Sequence, residues 1–224
     1  MGGIGSGKVN GTTGCFRASP SEARASRSAS DRNRVDYGPE SMKTSTPVTA
    51  DQFERLAASI GSCELVKGEL VAMSPGGVEH SRIVTNFVLH LGTWASKSKG
   101  GRVLSGEAGV IVGRDPDTVR GADVLYISYK RLPKGQKWSG FLTQRPELIV
   151  EVLGLKDTWA DMETKLAEYR GFGVDLVWIG DPQTQTVRVH PRGGKPATFH
   201  GDDELSSPKL LPGFRCKAKE FFEE

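Results

Sequence analysis

The chain has 224 residues, 37% of them hydrophobic, and a formal net charge of +3. That length holds one ordinary domain with an extension, and no run of about 18 apolar residues offers a membrane span. The first 45 residues carry seven Lys/Arg and four Asp/Glu, so of 30 basic and 27 acidic groups 23 of each remain in the rest, and overall charge gives no support to nucleic-acid binding.

Residues 1 to about 46 are rich in Gly, Ser, Arg and Thr and nearly devoid of large apolar side chains. Such a stretch cannot bury enough surface to offset its ordering entropy, so it is expected to be a disordered tail ahead of a single domain at 47–224. Within it, Gly2 to Val9 nearly matches the phosphate-binding pattern G-x-x-x-x-G-K-[ST]. No strand precedes it and Val9 replaces the metal-binding hydroxyl, so it is read as a decoy. No apolar leader segment is apparent, and Cys15, Cys63 and Cys216 lack paired spacing, which fits a reducing cytoplasm and argues against a disulfide framework or a zinc knuckle.

Order is expected from Thr49, where a capping residue precedes a helix to Ser59 with its apolar stripe at Phe53, Leu56 and Ile60. Glu64 to Met73 reads as a hairpin about Lys67-Gly68. After Pro75-Gly76-Gly77, Ile83, Val84, Phe87, Val88, Leu91 and Trp94 recur at helical spacing from Val78 to Ser98. Arg102–Leu104 and Gly109–Val112 read as two strands, followed by the Asp123 strand. The strand of Leu148 to Leu153 comes next, then a helix at 159–172 with its stripe at Met162, Leu166 and Tyr169. A strand at 175–180 and a terminal hairpin from Thr186 complete the order. Strands interleaved with helices indicate an α/β domain, a mixed β-sheet flanked by helices, with the crossover helix making strands 148–153 and 175–180 parallel neighbours.

Glu151 stands among Leu148, Ile149, Val150, Val152 and Leu153. A buried strand rarely keeps an ionised group unless something positive binds it, because desolvating a lone charge costs several kcal/mol. Asp123 opens a second apolar run in the same way, and Lys165 lies on the following helix. Two strand-borne carboxylates and a lysine are what a Mg²⁺-dependent phosphodiester-cleaving site requires, while two acids ending their strands at the solvent edge is the competing reading. For Lys165 the competing reading is a helical pair with Asp161 or Glu168, worth about 0.3–0.5 kcal/mol. His90, His190 and His200 show no ligand spacing and are expected at the surface.

From about Phe53 to Phe221 the chain resembles the putative restriction endonuclease family of bacteria, a branch of the PD-(D/E)XK nuclease superfamily. The resemblance rests on Glu64-Leu-Val-Lys-Gly-Glu-Leu-Val-Ala-Met-Ser-Pro, Glu79-His80, Ala122-Asp123-Val124, Pro146-Glu-Leu-Ile-Val-Glu151-Val-Leu, Lys165-Leu-Ala-Glu-Tyr-Arg-Gly-Phe-Gly-Val, Val177-Trp-Ile-Gly-Asp-Pro and Leu211-Pro-Gly-Phe. It implies a restriction-endonuclease-like sheet, metal ligation by Asp123 and Glu151, and catalysis by these acids with Lys165. Two positions depart from the superfamily pattern: Ala122 precedes the Asp where a proline would stand, and Leu153 occupies the motif-lysine position, which moves that role to Lys165.

The reading is thus a metal-dependent endonuclease using Mg²⁺ or Mn²⁺ on DNA, without membrane association and compatible with a homodimer. Glu79 and His80, on the first turn of the long helix, are auxiliary candidates, as is Glu107. Residues 124–146 hold Lys130, Arg131, Lys134, Lys137 and Arg145 with no acid, interleaved with Tyr129, Trp138 and Phe141, and are a candidate nucleic-acid contact. The alternatives are a non-cleaving DNA-binding or complex-forming module on the same fold, and a hydrolase of small phosphate esters, for which the chain lacks a Gly-rich phosphate cradle.

Overall fold

The computed structural model describes residues 41–42 and 46–224, so the expected disordered tail, its phosphate-loop decoy and Cys15 lie outside the described residues, save for Ser41, Met42 and Thr46. A short strand β1 (Ser41–Met42) is followed by α1 (Ala50–Ile60), the hairpin β2 (Cys63–Val66) and β3 (Glu69–Ala72), and the long helix α2 (Val78–Ser98). Then come β4 (Gly101–Gly113), β5 (Thr118–Ser128), β6 (Leu148–Val152), α3 (Trp159–Phe172) and β7 (Leu176–Asp181). The chain finishes with β8 (Thr186–Pro191), β9 (Ala197–His200), β10 (Glu204–Ser207), β11 (Leu211–Lys217) and a 3-10 turn at Ala218–Phe221.

Helix starts follow their caps. Thr49 accepts from the Gln52 backbone N–H while the Gln52 side chain accepts from the Thr49 N–H, a reciprocal pair that fixes the first turn of α1. Thr158 caps α3 by accepting from Asp161 N at 3.2 Å, and Gly173 ends that helix at φ 95°, a left-handed conformation that glycine reaches without strain.

The main sheet runs β1-β3-β2-β5-β6-β7-β8-β9, with β4 also paired to β5, while β10 and β11 form a separate pair. β6 and β7 are parallel, as the crossover helix between them requires, and the remaining pairs are antiparallel. Alternation along β6 and its neighbours sets the two layers. Val124, Val150, Val152 and Trp178 pack against Ile83, Phe87 and Leu91 of α2. Leu125, Ile149, Val177 and Ile179 pack against Met162, Leu166 and Tyr169 of α3. Period two therefore directs Glu151, between Val150 and Val152, to the α3 face.

One expectation needs correction. The two strands expected at 102–104 and 109–112 are a single strand, β4, broken in register between Ser105 and Ala108. Gly106 (φ 78°) and Glu107 (φ 58°) form the bulge. An inserted pair interrupts the alternation locally while the ladder with β5 continues on both sides, which is why the sequence there reads as a loop.

Candidate functional site

The site lies where β5 exchanges one neighbour for another. Val119 is paired with Ile111 of β4 on one edge and Leu65 of β2 on the other. Five residues later Val124 is paired with Ser105 of β4 and Val150 of β6. Between those two pairings, residues 120–123 face a notch left by the divergence of β2 and β6. Backbone N–H groups pointing into a notch lack ladder partners and must be satisfied otherwise. Gly121 N donates to Glu64 Oε1 at 3.0 Å, and Val152 N donates to Asp123 Oδ2 at 2.7 Å. His80, from the first turn of α2, brings Nε2 to 3.3 Å from the same Asp123 oxygen.

α3 closes the α3-facing side of the notch. Lys165, Glu168 and Tyr169 follow one another at helical i,i+3/i+4 spacing, so they share the face that Met162 and Leu166 turn to the sheet. Lys165 Nζ stands 3.2 Å from Glu64 Oε1 and 3.7 Å from Glu151 Oε2. The Tyr169 hydroxyl donates to Glu151 Oε1. Arg120 spans the rear, donating to Glu64 Oε2 at 2.6 Å and, through Nε and an NH2 group, to both oxygens of Glu168. The helical pairing considered for Lys165 is not what it makes: Glu168 is held by Arg120, and Asp161 is bonded to Thr158.

Charges in the notch do not balance. Glu64, Asp123, Glu151 and Glu168 are four carboxylates, against two full cations, Arg120 and Lys165. The titration of the site reflects the surplus. Glu151 is 3% exposed, and burial, reinforced by the charges of Asp123 and Glu64, pushes its carboxyl up to about 8 despite the opposing pull of Lys165 and Tyr169. His80 is raised by its hydrogen bond to Asp123 against the effect of its own burial. Burial would lower Lys165, but Glu151 and Glu64 outweigh it, so its pKa is raised and it stays an ammonium. Burial thus disfavours the charged form of Glu151, while the hydrogen bond to Asp123 favours the charged form of His80.

A divalent cation suits such a place chemically: the donors are hard carboxylate oxygens with one imidazole, and the uncompensated charge is about two. No group of three described residues that contains both Asp123 and Glu151 brings its ligand atoms within 4.8 Å of one another.

The auxiliary candidates divide. His80 enters the site, whereas the neighbouring Glu79 points to solvent and pairs with Arg82 at 2.6 Å. The Glu107 carboxylate leaves the bulge in another direction and accepts from Ser62 Oγ at 2.6 Å, in a small cleft lined by Phe53, Cys63 and Phe141. Leu153, at the displaced-lysine position, packs beside the α3-side core, and its N–H bonds Gly180 O.

The basic segment after β5 starts at the opposite end of the strand pair, five residues or about 17 Å along β5 from Asp123. It is pinned along β4. Leu142 exchanges backbone bonds with Gly109 and Ile111, and Phe141 stacks on Phe53 with centroids 5.1 Å apart. Arg102 lies 4.0 Å over Trp138 and 4.8 Å over Tyr129, whose ring also receives Lys134 at 4.5 Å. Arg131 is tied to Glu147 at 3.1 Å and to Asp175, while Lys130, Lys134, Lys137 and Arg145 are exposed.

Sequence reasoning did not select Glu64, Arg120, Glu168 or Tyr169 for the site. Glu64 carried the same signal as Glu151, an acid set beside apolar strand residues, and is equally buried at 4% exposure. His190, expected at the surface, is buried against Arg170, and His90 is half-buried.

A mixed sheet with one parallel crossover, acids on its two central strands and a lysine on the crossover helix defines the restriction-endonuclease-like class of α/β folds. The chain belongs to the Uma2 family, described as putative restriction endonuclease, which residues 50–219 match. A similar solved structure is the crystal structure of a putative nuclease from Anabaena variabilis ATCC 29413. It shares 19% identity and a TM-score of 0.69 with this chain, covering 79% of this chain and 98% of its own, a likeness of fold. Among curated proteins none matches. No helix among the described residues is long and apolar enough to cross a membrane.

Proposed function

We propose that this protein is a divalent-metal-dependent endonuclease that hydrolyses phosphodiester bonds of DNA in the notch between β2 and β6. The observation that carries the reading is the meeting of Lys165 with the buried Glu151, beside a strand whose Asp123 is held by the backbone of the residue after Glu151. Asp123 and Glu151 would hold Mg²⁺ or Mn²⁺ through carboxylate oxygens, with His80 beside Asp123. When bound, the ion would polarise the phosphate and lower the pKa of a coordinated water.

The chain's own groups supply the remainder. Lys165 is retained as an ammonium by Glu64 and Glu151, so it acts as a donor of hydrogen bonds to developing negative charge and not as a base. Glu64 is the lysine's nearer carboxylate and is itself fixed by Arg120 and the Gly121 N–H. Tyr169 holds one Glu151 oxygen and leaves the other toward Lys165. Such orientation counts because misplacement by about 1 Å can cost on the order of a hundredfold in rate.

The test is nicking of supercoiled plasmid. Cleavage should require Mg²⁺ or Mn²⁺ and stop with chelator, and Asp123→Asn or Glu151→Gln should abolish it while circular dichroism stays unchanged. Lys165→Ala should lower turnover with little change in the metal concentration required, since an ammonium does not ligate metal. Undiminished cleavage by folded Glu151→Gln would place the chemistry elsewhere. Binding of DNA without cleavage by the wild type would favour the non-cleaving module.

A further inference from the structure

On the α2 side of the sheet, three residues of unlike chemistry converge where the C-terminal segment docks. His90 comes from α2, Cys216 from β11 and Glu220 from the 3-10 turn, and one donor atom of each lies within 4.8 Å of the others. Cys216 Sγ is 3.4 Å from His90 Nδ1 and 3.6 Å from Glu220 Oε2, and Nδ1 to Oε2 is 3.8 Å. A tetrahedral zinc ion with sulfur at about 2.3 Å and nitrogen or oxygen at about 2.0 Å separates such donors by roughly 3.3–3.6 Å. The triangle already has the size of one tetrahedral face.

Its supports point the same way. Glu220 Oε1 accepts the Lys217 backbone N–H at 3.3 Å, which turns Oε2 toward the sulfur and imidazole. The segment is docked independently by Phe221 stacking on Phe87 at 4.0 Å and by Asn86 Nδ2 donating to the carbonyls of Phe221 and Glu223. Cys216 is 5% exposed, while His90 and Glu220 are about one-third exposed at a cleft of about 500 Å³ that opens to solvent. A fourth position would thus be reached by water or an exchangeable ligand.

A nucleophile relay would be built differently. In a Cys-His-acid relay the thiol and the acid use opposite ring nitrogens, because one receives the proton while the other orients the ring. Here Sγ and Oε2 both approach Nδ1. Converging donors suit a cation. The set of thiolate, imidazole and one carboxylate favours a borderline-soft ion such as Zn²⁺ over the hard Mg²⁺ suited to the carboxylate-rich notch between β2 and β6.

We infer that His90, Cys216 and Glu220 form a second metal site, selective for Zn²⁺ and separate from the notch between β2 and β6, that clamps the C-terminal segment to α2. Binding would form a zinc–sulfur bond and release the thiol proton to solvent.

The test is titration of the full chain, freed of metal by chelation, with Co²⁺ as a spectroscopic substitute. One equivalent should produce a near-ultraviolet thiolate-to-cobalt charge-transfer band, abolished by one equivalent of Zn²⁺ and not by Mg²⁺. Cys216→Ser should lack the band, and a Cys15→Ser/Cys63→Ser double variant should keep it. His90→Gln and Glu220→Gln, at half-exposed positions that leave the core intact, should each weaken Co²⁺ binding by roughly tenfold or more. Zn²⁺ should raise the Tm of the wild type and not that of His90→Gln. Absence of the band in folded wild type, its persistence in Cys216→Ser, or unchanged affinity in His90→Gln would overturn the assignment. Should Cys216→Ser not fold, the His90→Gln and Glu220→Gln titrations decide alone. None of these readouts depends on DNA cleavage.

Discussion

Replacing Glu151 by Gln isolates the charge that the notch finds hardest to hold. Gln copies the protonated acid, because its carbonyl still accepts from the Tyr169 hydroxyl, while Lys165 keeps its nearer partner Glu64. The native carboxyl is raised from an ordinary 4.5 to about 8, chiefly by burial. Between those values the folded state binds the proton and the unfolded state has lost it. Stability without metal should therefore fall as pH rises through this window, at up to about 1.4 kcal/mol per pH unit. The direction is opposite to that of an ordinary salt-bridged carboxylate, which gains stability over its titration range as pH rises.

Integrated over the window, the shift corresponds to about 2–5 kcal/mol, the lower figure allowing for relaxation around the charge. Urea denaturation in chelator at pH 5, 7 and 9 measures it. Wild type and Glu151→Gln should be nearly equal at pH 5, with the variant the more stable by about 2–5 kcal/mol at pH 9, a Tm difference of roughly 5–15 °C. His80 contributes its own slope, since a raised histidine stabilises below its ordinary 6.5 and loses that contribution as pH rises through its folded value, but it is common to both proteins. Saturating Mg²⁺ should reverse the order at pH 9 by stabilising the wild type alone. A difference between the two proteins that does not change with pH would refute the argument that Glu151 is held protonated.

Glu64→Gln should destabilise the fold by about 3–5 kcal/mol in chemical denaturation, because it leaves Arg120, 7% exposed, short of one buried countercharge. A second change, Arg120→Met, should recover part of that loss, and additive costs would deny the coupling. Reversing Lys134 and Lys137 to Glu should weaken DNA binding and reduce the salt slope by about two, if this exposed segment meets phosphates. An unchanged slope would send the DNA path to another surface, consistent with the segment's origin at the far end of β5.

What the sequence disclosed and what it concealed follow from how local each signal is. Helix α2 was legible to the residue because its apolar spacing is contained within one segment. Glu151 stood out because a charge inside five buried strand residues conflicts with its neighbours. β4 reads as two strands because its bulge, Gly106-Glu107, interrupts the alternation while its long-range ladder continues. Glu64 carries the same contrast in a shorter, four-residue strand, but its partner Arg120 lies 56 positions away, so the pairing that makes it part of the site is not in any local window. His90 and Cys216 are 126 positions apart, so no ligand spacing exists to be read. Pairings of that kind are created by the sheet order and are absent from any window of sequence.

The same sheet order explains why acids collect at this notch. Along β6, successive N–H groups alternate between the two edges, and Leu153 N goes to Gly180 O on the β7 side. Val152 N consequently points toward β5, one step beyond the Val124–Val150 pair, where no ladder carbonyl faces it. Asp123 supplies the acceptor, as Glu64 does for Gly121 N on the β2 side of the same gap. The backbone's own demand for partners thus fixes one oxygen of each acid and orients the rest of the carboxylate. Asp123→Ala would leave Val152 N unsatisfied, at a cost of about 1–3 kcal/mol, and mix a folding defect with a catalytic one. Asp123→Asn keeps the acceptor and removes only the charge, so a loss of cleavage in that variant is attributable to the site and not to the fold that carries it.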